Sequence, residues 1–145
     1  MTADILIAEH RRPLTAFLRY ALADEGYDVR TVKNGTAALS AIRRSKPQIV
    51  LLDADLPDID GIEVLLQLKS HERTCDVSII MIAEEARPEK THAALTMGAS
   101  CVIAKPVSKP DLLAQVRNVF SLQGCRHTSA HYLDATKDGC PCSRS

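Results

Sequence analysis

Short apolar runs alternate with stretches of helical period along this chain. The runs lie at 5–8 (ILIA), 49–52 (IVLL), 79–83 (IIMIA) and 101–104 (CVIA). Successive apolar positions put hydrophobic side chains on both faces, which reads as parallel strands covered by helices on each side. The segment 27–32 (YDVRTV) alternates instead, setting Val29 and Thr31 apart from Arg30, and suits a half-exposed edge strand.

The intervening segments carry helix punctuation. The first has Pro13 near its first turn, a stripe of Leu14, Phe17, Leu18, Ala21 and Leu22, and Gly26 beyond its end. The second follows Asn34 and Gly35 and carries Ala38, Leu39 and Ile42. The third opens at 60–63 (DGIE), where Asp60 can accept from free amides and Glu63 can reach back, an acidic form of the capping box. Its buried side is predicted to be Ile62, Leu65, Leu66 and the stem of Lys69. The fourth spans about 87–97, with Pro88 at its entry and Gly98 as its stop, and the fifth opens at 108–111 (SKPD) and buries Leu112, Leu113, Val116, Val119 and Phe120.

Five strands and five helices in strict alternation, joined by short loops, predict an α/β domain with an open parallel sheet and right-handed crossovers. Periodicity does not order the strands. After about Leu122 the pattern stops, so residues 1–121 are expected to form the domain and 122–145 a flexible polar tail.

Composition narrows the function. A chain of 145 residues, 46% hydrophobic and 25% charged, has the length and make-up of one soluble domain that needs no staples. Eighteen basic residues balance eighteen acidic ones without clustering, so neither nucleic acid nor a membrane is expected as a partner. The first ten residues hold no basic n-region and too short an apolar run for a signal peptide, which predicts a cytoplasmic protein. Five cysteines in such a compartment predict no disulfide framework. Cys125, His127, His131, Cys140 and Cys142 cluster in the tail, but their spacing reproduces no standard zinc pattern.

In an open α/β sheet, functional groups gather beyond the carboxyl ends of the strands. Glu9 and His10 end the first strand here, Asp53 the third and Lys105 the fifth. Converging carboxylates hold a hard cation, and a lysine neutralises a phosphoryl group.

The stretch LLDADLPDIDG (51–61), the AKP at 104–106 and the opening ILIAEH (5–10), in that order, resemble the receiver domain of bacterial two-component response regulators over residues 4 to about 121. The resemblance implies a three-layer flavodoxin-like (βα)5 fold with strand order 2-1-3-4-5. It implies that Asp53 takes a phosphoryl group from a histidine kinase or phosphotransfer protein, that Lys105 pairs with that group, and that the bond to Pro106 is cis. Glu9 and His10 stand where the family has its Mg²⁺-gathering acidic pair, and the backbone carbonyl of Asp55 where the metal shell is completed. Beyond labelling and its reversal no enzymatic activity is implied; the module acts by binding a downstream protein. The DAD at 53–55 also resembles the D-x-D of haloacid-dehalogenase-like phosphatases, which place it after their first strand rather than the third.

Three positions depart from the family pattern. His10 replaces the acid that usually ligates Mg²⁺ directly, and imidazole suits zinc or copper better, so Mg²⁺ binding is expected to be weak. Ala83 stands where strand four usually ends in Ser or Thr, and Val102 where strand five carries its aromatic switch. The chain thus reads as a divergent receiver, with a phosphorylation-independent interaction module as the alternative.

Overall fold

The computed structural model describes residues 4–84 and 88–124. Along them run β1 (Asp4–Ala8), α1 (Arg12–Asp24), β2 (Asp28–Val32), α2 (Gly35–Arg44), β3 (Ile49–Asp53), α3 (Gly61–Lys69), β4 (Ser78–Glu84), α4 (Pro88–Thr96), β5 (Cys101–Lys105) and α5 (Lys109–Gly124). The strands form one sheet in the order β2-β1-β3-β4-β5. Every pairing is parallel, with Ile5 opposite Ile49, Ile49 opposite Ser78 and Ile80 opposite Cys101. This is the flavodoxin-like arrangement.

Alternation within the strands divides the core into two layers. Ile5, Ile7, Ile49, Leu51, Ile80, Ile82 and Ile103 face α1 and α5, where they meet Leu18, Leu22, Leu112 and Val116. Leu6, Val50, Leu52, Ile79 and Met81 face the other way, toward Ile42, Leu65, Leu68 and Ala94. Ala83 belongs to this second layer, and Val102 packs against it. β2, an edge strand beside β1 alone, is exposed at Asp28 and Thr31 and half-buried between.

Helix ends follow local chemistry. Gly26 and Gly98, just past α1 and α4, take φ of +94° and +113°, a region that favours glycine. Asn34 caps α2 by accepting from the Ala37 amide at 2.7 Å. Asp60 caps α3 through the Ile62 amide at 2.9 Å, but Glu63 does not complete the reciprocal box and instead accepts from Gln67. The buried face of α3 also differs from the expected one: it is Val64, Leu65 and Leu68, while Leu66 is 43% exposed. Lys69 lies with its stem against Gly98 and its Nζ on the carbonyls of Cys75 and Val77.

Cys101 is a free thiol that burial pushes up to about 11, whereas Cys75 is buried and disulfide-bonded, which departs from the expectation of no disulfides. The expectation about tail ligands also lies outside them. Among the described residues no helix is long and apolar enough to cross a membrane.

Candidate functional site

The strand order reverses between β1 and β3, so the crevice beyond their carboxyl ends is open to side chains from both. Asp53, last residue of β3, is fully buried. Its Oδ2 pairs with Lys105 Nζ at 2.8 Å, and its Oδ1 accepts from the Asp55 amide at 2.7 Å. Lys105 ends β5, with a cis bond to Pro106, and its side chain is only 10% exposed. Both carboxylate oxygens are therefore engaged and the Asp53 side chain is fixed in one orientation.

Glu9 follows β1 and is 1% exposed. One oxygen accepts from the Arg11 amide at 2.9 Å, helping the start of α1, whose N-cap Arg11 makes no side-chain cap of its own. The other, Oε1, is buried without a hydrogen-bond partner. Burial, reinforced by a shared contact with Asp53, pushes Glu9 up to about 7, against the pull of the Arg11 amide and Lys105. One lysine faces two buried carboxylates.

His10 lies on the rim, with Nδ1 3.8 Å from Glu9 Oε2 and a side chain 36% exposed. Its near carboxylate is Glu9 and not Asp53. Ala83 is buried in the apolar layer, and Val102 is half-buried beside it. Neither carries a hydroxyl or a ring toward Asp53.

Two residues that sequence reasoning passed over frame the site. Lys90, in the first turn of α4, sets its Nζ 2.9 Å from Asp55 Oδ1 and 3.2 Å from Asp60 Oδ2. Burial lowers its affinity for a proton, but the two carboxylates outweigh that and hold it above the ordinary lysine value. Asp58 accepts from the amides of Gly35, Thr36 and Ile59 at 2.7 to 3.0 Å. The Thr36 hydroxyl and these amides keep it well below the usual carboxylate range. It thereby pins the β3–α3 loop to the start of α2. The run of acids at 53–60 signalled such a loop, but nothing in the sequence assigned each acid its partner.

The donor set suits a hard cation in one respect and not in another. The unpartnered Glu9 Oε1 beside Asp53 offers an oxygen donor with no hydrogen bond to give up. His10 adds only an imidazole at the rim, and among the described residues no three His, Cys, Asp or Glu side chains already form a cage.

Glu9 makes stability depend on pH. A carboxylate raised from 4.5 to about 7 keeps its proton in the folded state after the unfolded chain has released it, so stability falls as pH rises through that interval. A bound cation displaces the proton and offsets the loss. Mg²⁺ is therefore expected to raise the melting temperature more at about pH 8 than at about pH 5. Thermal unfolding at the two pH values checks this, and an equal Mg²⁺ effect at both would refute it.

An open α/β sheet whose third strand ends in a buried aspartate held by a lysine from the fifth has the arrangement of a signal-receiver domain. The chain belongs to the response regulator receiver domain family, whose model matches residues 5–117. It is 32% identical over 117 residues to the phosphate regulon transcriptional regulatory protein PhoB of Rhizobium meliloti, covering 81% of this chain and 52% of that one. It is 34% identical over 117 residues to the transcriptional regulatory protein KdpE of Staphylococcus aureus, covering 81% and 49%. Among solved structures it resembles a putative response regulator from Chloroflexus aurantiacus, with TM-score 0.81, 26% identity and coverage of 83% and 99%. A CheY-like receiver domain protein from Methanospirillum hungatei is similar, with TM-score 0.80, 27% identity and coverage of 87% and 99%.

These relatives correct one expectation. PhoB and KdpE are transcriptional regulatory proteins, so the exclusion of nucleic acid does not stand. That exclusion rested on evenly scattered charge along this chain, which spans about half the length of those relatives. Charge balance along the matched part of those relatives carries no information about the rest of them.

Proposed function

We propose that this receiver accepts a phosphoryl group at Asp53 from a histidine kinase or phosphotransfer protein and acts by binding a downstream protein. The observation that carries the reading is the buried Asp53 carboxylate, held between Lys105 Nζ and the Asp55 amide. In the transfer, a carboxylate oxygen of Asp53 forms the new P–O bond while the P–N bond to the donor imidazole breaks. The imidazole leaves with the electron pair and takes up a proton. Such transfers need in-line positioning and neutralised charge more than acid–base chemistry. Lys105 supplies the charge, and the Asp55 amide fixes the angle of the nucleophile. Mg²⁺, when bound, would add positive charge against the phosphoryl oxygens; Glu9, Asp53 and the Asp55 carbonyl are the groups to hold it, with His10 a poor substitute for the second acid.

A second reading, a phosphate-independent interaction module, is favoured by Ala83, which is 1% exposed within the apolar layer where a mobile hydroxyl is usual in the family. Incubation with Mg²⁺ and a small-molecule phosphodonor separates the two. The intact mass is expected to rise by one phosphoryl group, and by none in Asp53→Asn. Gain in the variant would put the acceptor elsewhere, and no gain in folded wild type would favour the second reading.

A further inference from the structure

We infer that Lys90 is the positioning residue through which occupancy of the Asp53 pocket reaches α4, by way of Asp55 and Asp60. This rests on the reading of Asp53 as acceptor. The connection is continuous: the Asp55 amide donates to Asp53 Oδ1, the Asp55 carboxylate binds Lys90 Nζ, and the same ammonium binds Asp60, the N-cap of α3. The acceptor and the first turns of α3 and α4 thus share one hydrogen-bonded network. The Lys90 side chain is 16% exposed, that of Asp55 31% and that of Asp60 51%, so the contact with Asp55 is the less screened of the two.

Two side chains near the pocket offer no polar route. Ala83 lies in the apolar layer and Val102 packs against it, and neither side chain has a polar atom with which to follow charge at Asp53. α4 itself is lightly anchored: Ala94 is its buried residue, and Leu95 is 46% exposed. An element with so little buried apolar surface opens at low cost, and the hold on its first turn weighs heavily.

The pocket region sets the carboxylates of Glu9, Asp53, Asp55 and Asp60 against the ammonium groups of Lys105 and Lys90. A phosphoryl group on Asp53 adds negative charge and alters the oxygen that the Asp55 amide holds. Asp55 must then readjust, and Lys90, bound to its carboxylate, readjusts with it. The first turn of α4 follows because Lys90 is part of it.

Hydrogen exchange across residues 88–96 tests this, before and after treatment with Mg²⁺ and a small-molecule phosphodonor, in wild type, Lys90→Met and Lys90→Arg. Intact mass, recorded for each sample, allows comparison at equal occupancy. Wild type and Lys90→Arg are expected to show a phosphoryl-dependent change in α4 exchange, and Lys90→Met to lose that difference. A merely structural lysine would speed exchange in the methionine variant equally with and without the phosphoryl group. Mass gain with an unchanged α4 response in Lys90→Met overturns the inference alone. No mass gain in wild type overturns the acceptor reading and this inference with it.

Discussion

Lys105→Met is expected to destabilise the fold by about 3 kcal/mol at about pH 8, and by much less at about pH 5. The side chain of Asp53 is fully buried and that of Lys105 is 10% exposed, so their 2.8 Å contact lies almost wholly out of water. Removing one partner of such a pair leaves a charge without compensation, which costs more than the pair itself contributed. A carboxylate so stranded escapes by taking up a proton. The folded variant would then bind a proton that the unfolded chain has released, so its stability falls as pH rises above the ordinary carboxylate range. Glu9, already raised to about 7, sharpens the effect because Lys105 is also one of the groups drawing it down. Adding Asp53→Asn to Lys105→Met removes the stranded charge and is expected to recover most of the loss. Urea unfolding of wild type and the two variants at both pH values measures it. A loss at about pH 8 no larger than that of an exposed pair, below about 1 kcal/mol, would show that the pair is not isolated from water as drawn.

Strand positions and strand termini were legible because a parallel sheet imposes continuous apolar runs, and whatever follows such a run stands at the edge where ligands bind. Strand order was not legible from period, since two interior strands with the same ILIA or IVLL character are interchangeable by pattern. Resemblance supplied it. The rotation of α3 was misread for a related reason. Ile62, Val64, Leu65, Leu66 and Leu68 crowd both possible faces, so spacing alone allows more than one stripe. Burial of Glu9 was hidden as well, because a charged side chain next to His10 and two arginines reads as solvated. Lys90 lies 35 residues from Asp55 and 30 from Asp60, and no local pattern joins residues so far apart.

What fixes the rotation of α3 is Gly61, and Gly61→Ala is expected to destabilise the protein by about 3 kcal/mol. A Cβ at this position would fall on the carbonyl oxygen of Asp53 and lie 2.7 Å from the Cα of Ala54. Both obstacles are backbone, and backbone at the end of a fully buried strand has nowhere to move. The Gly61 amide also donates to the Ala54 carbonyl at 2.9 Å, stitching α3 to the end of β3. Helix propensity alone favours alanine over glycine by up to about 1 kcal/mol, so the two arguments predict opposite signs. If close approach decides, urea unfolding shows a large loss. If propensity decides, the variant is as stable as wild type or more so, and the contact between α3 and β3 is looser than described. Where the variant remains folded, its phosphodonor labelling should fall as well. A shift of the Asp53 carbonyl to make room would carry with it the carboxylate that Lys105 and the Asp55 amide hold in line.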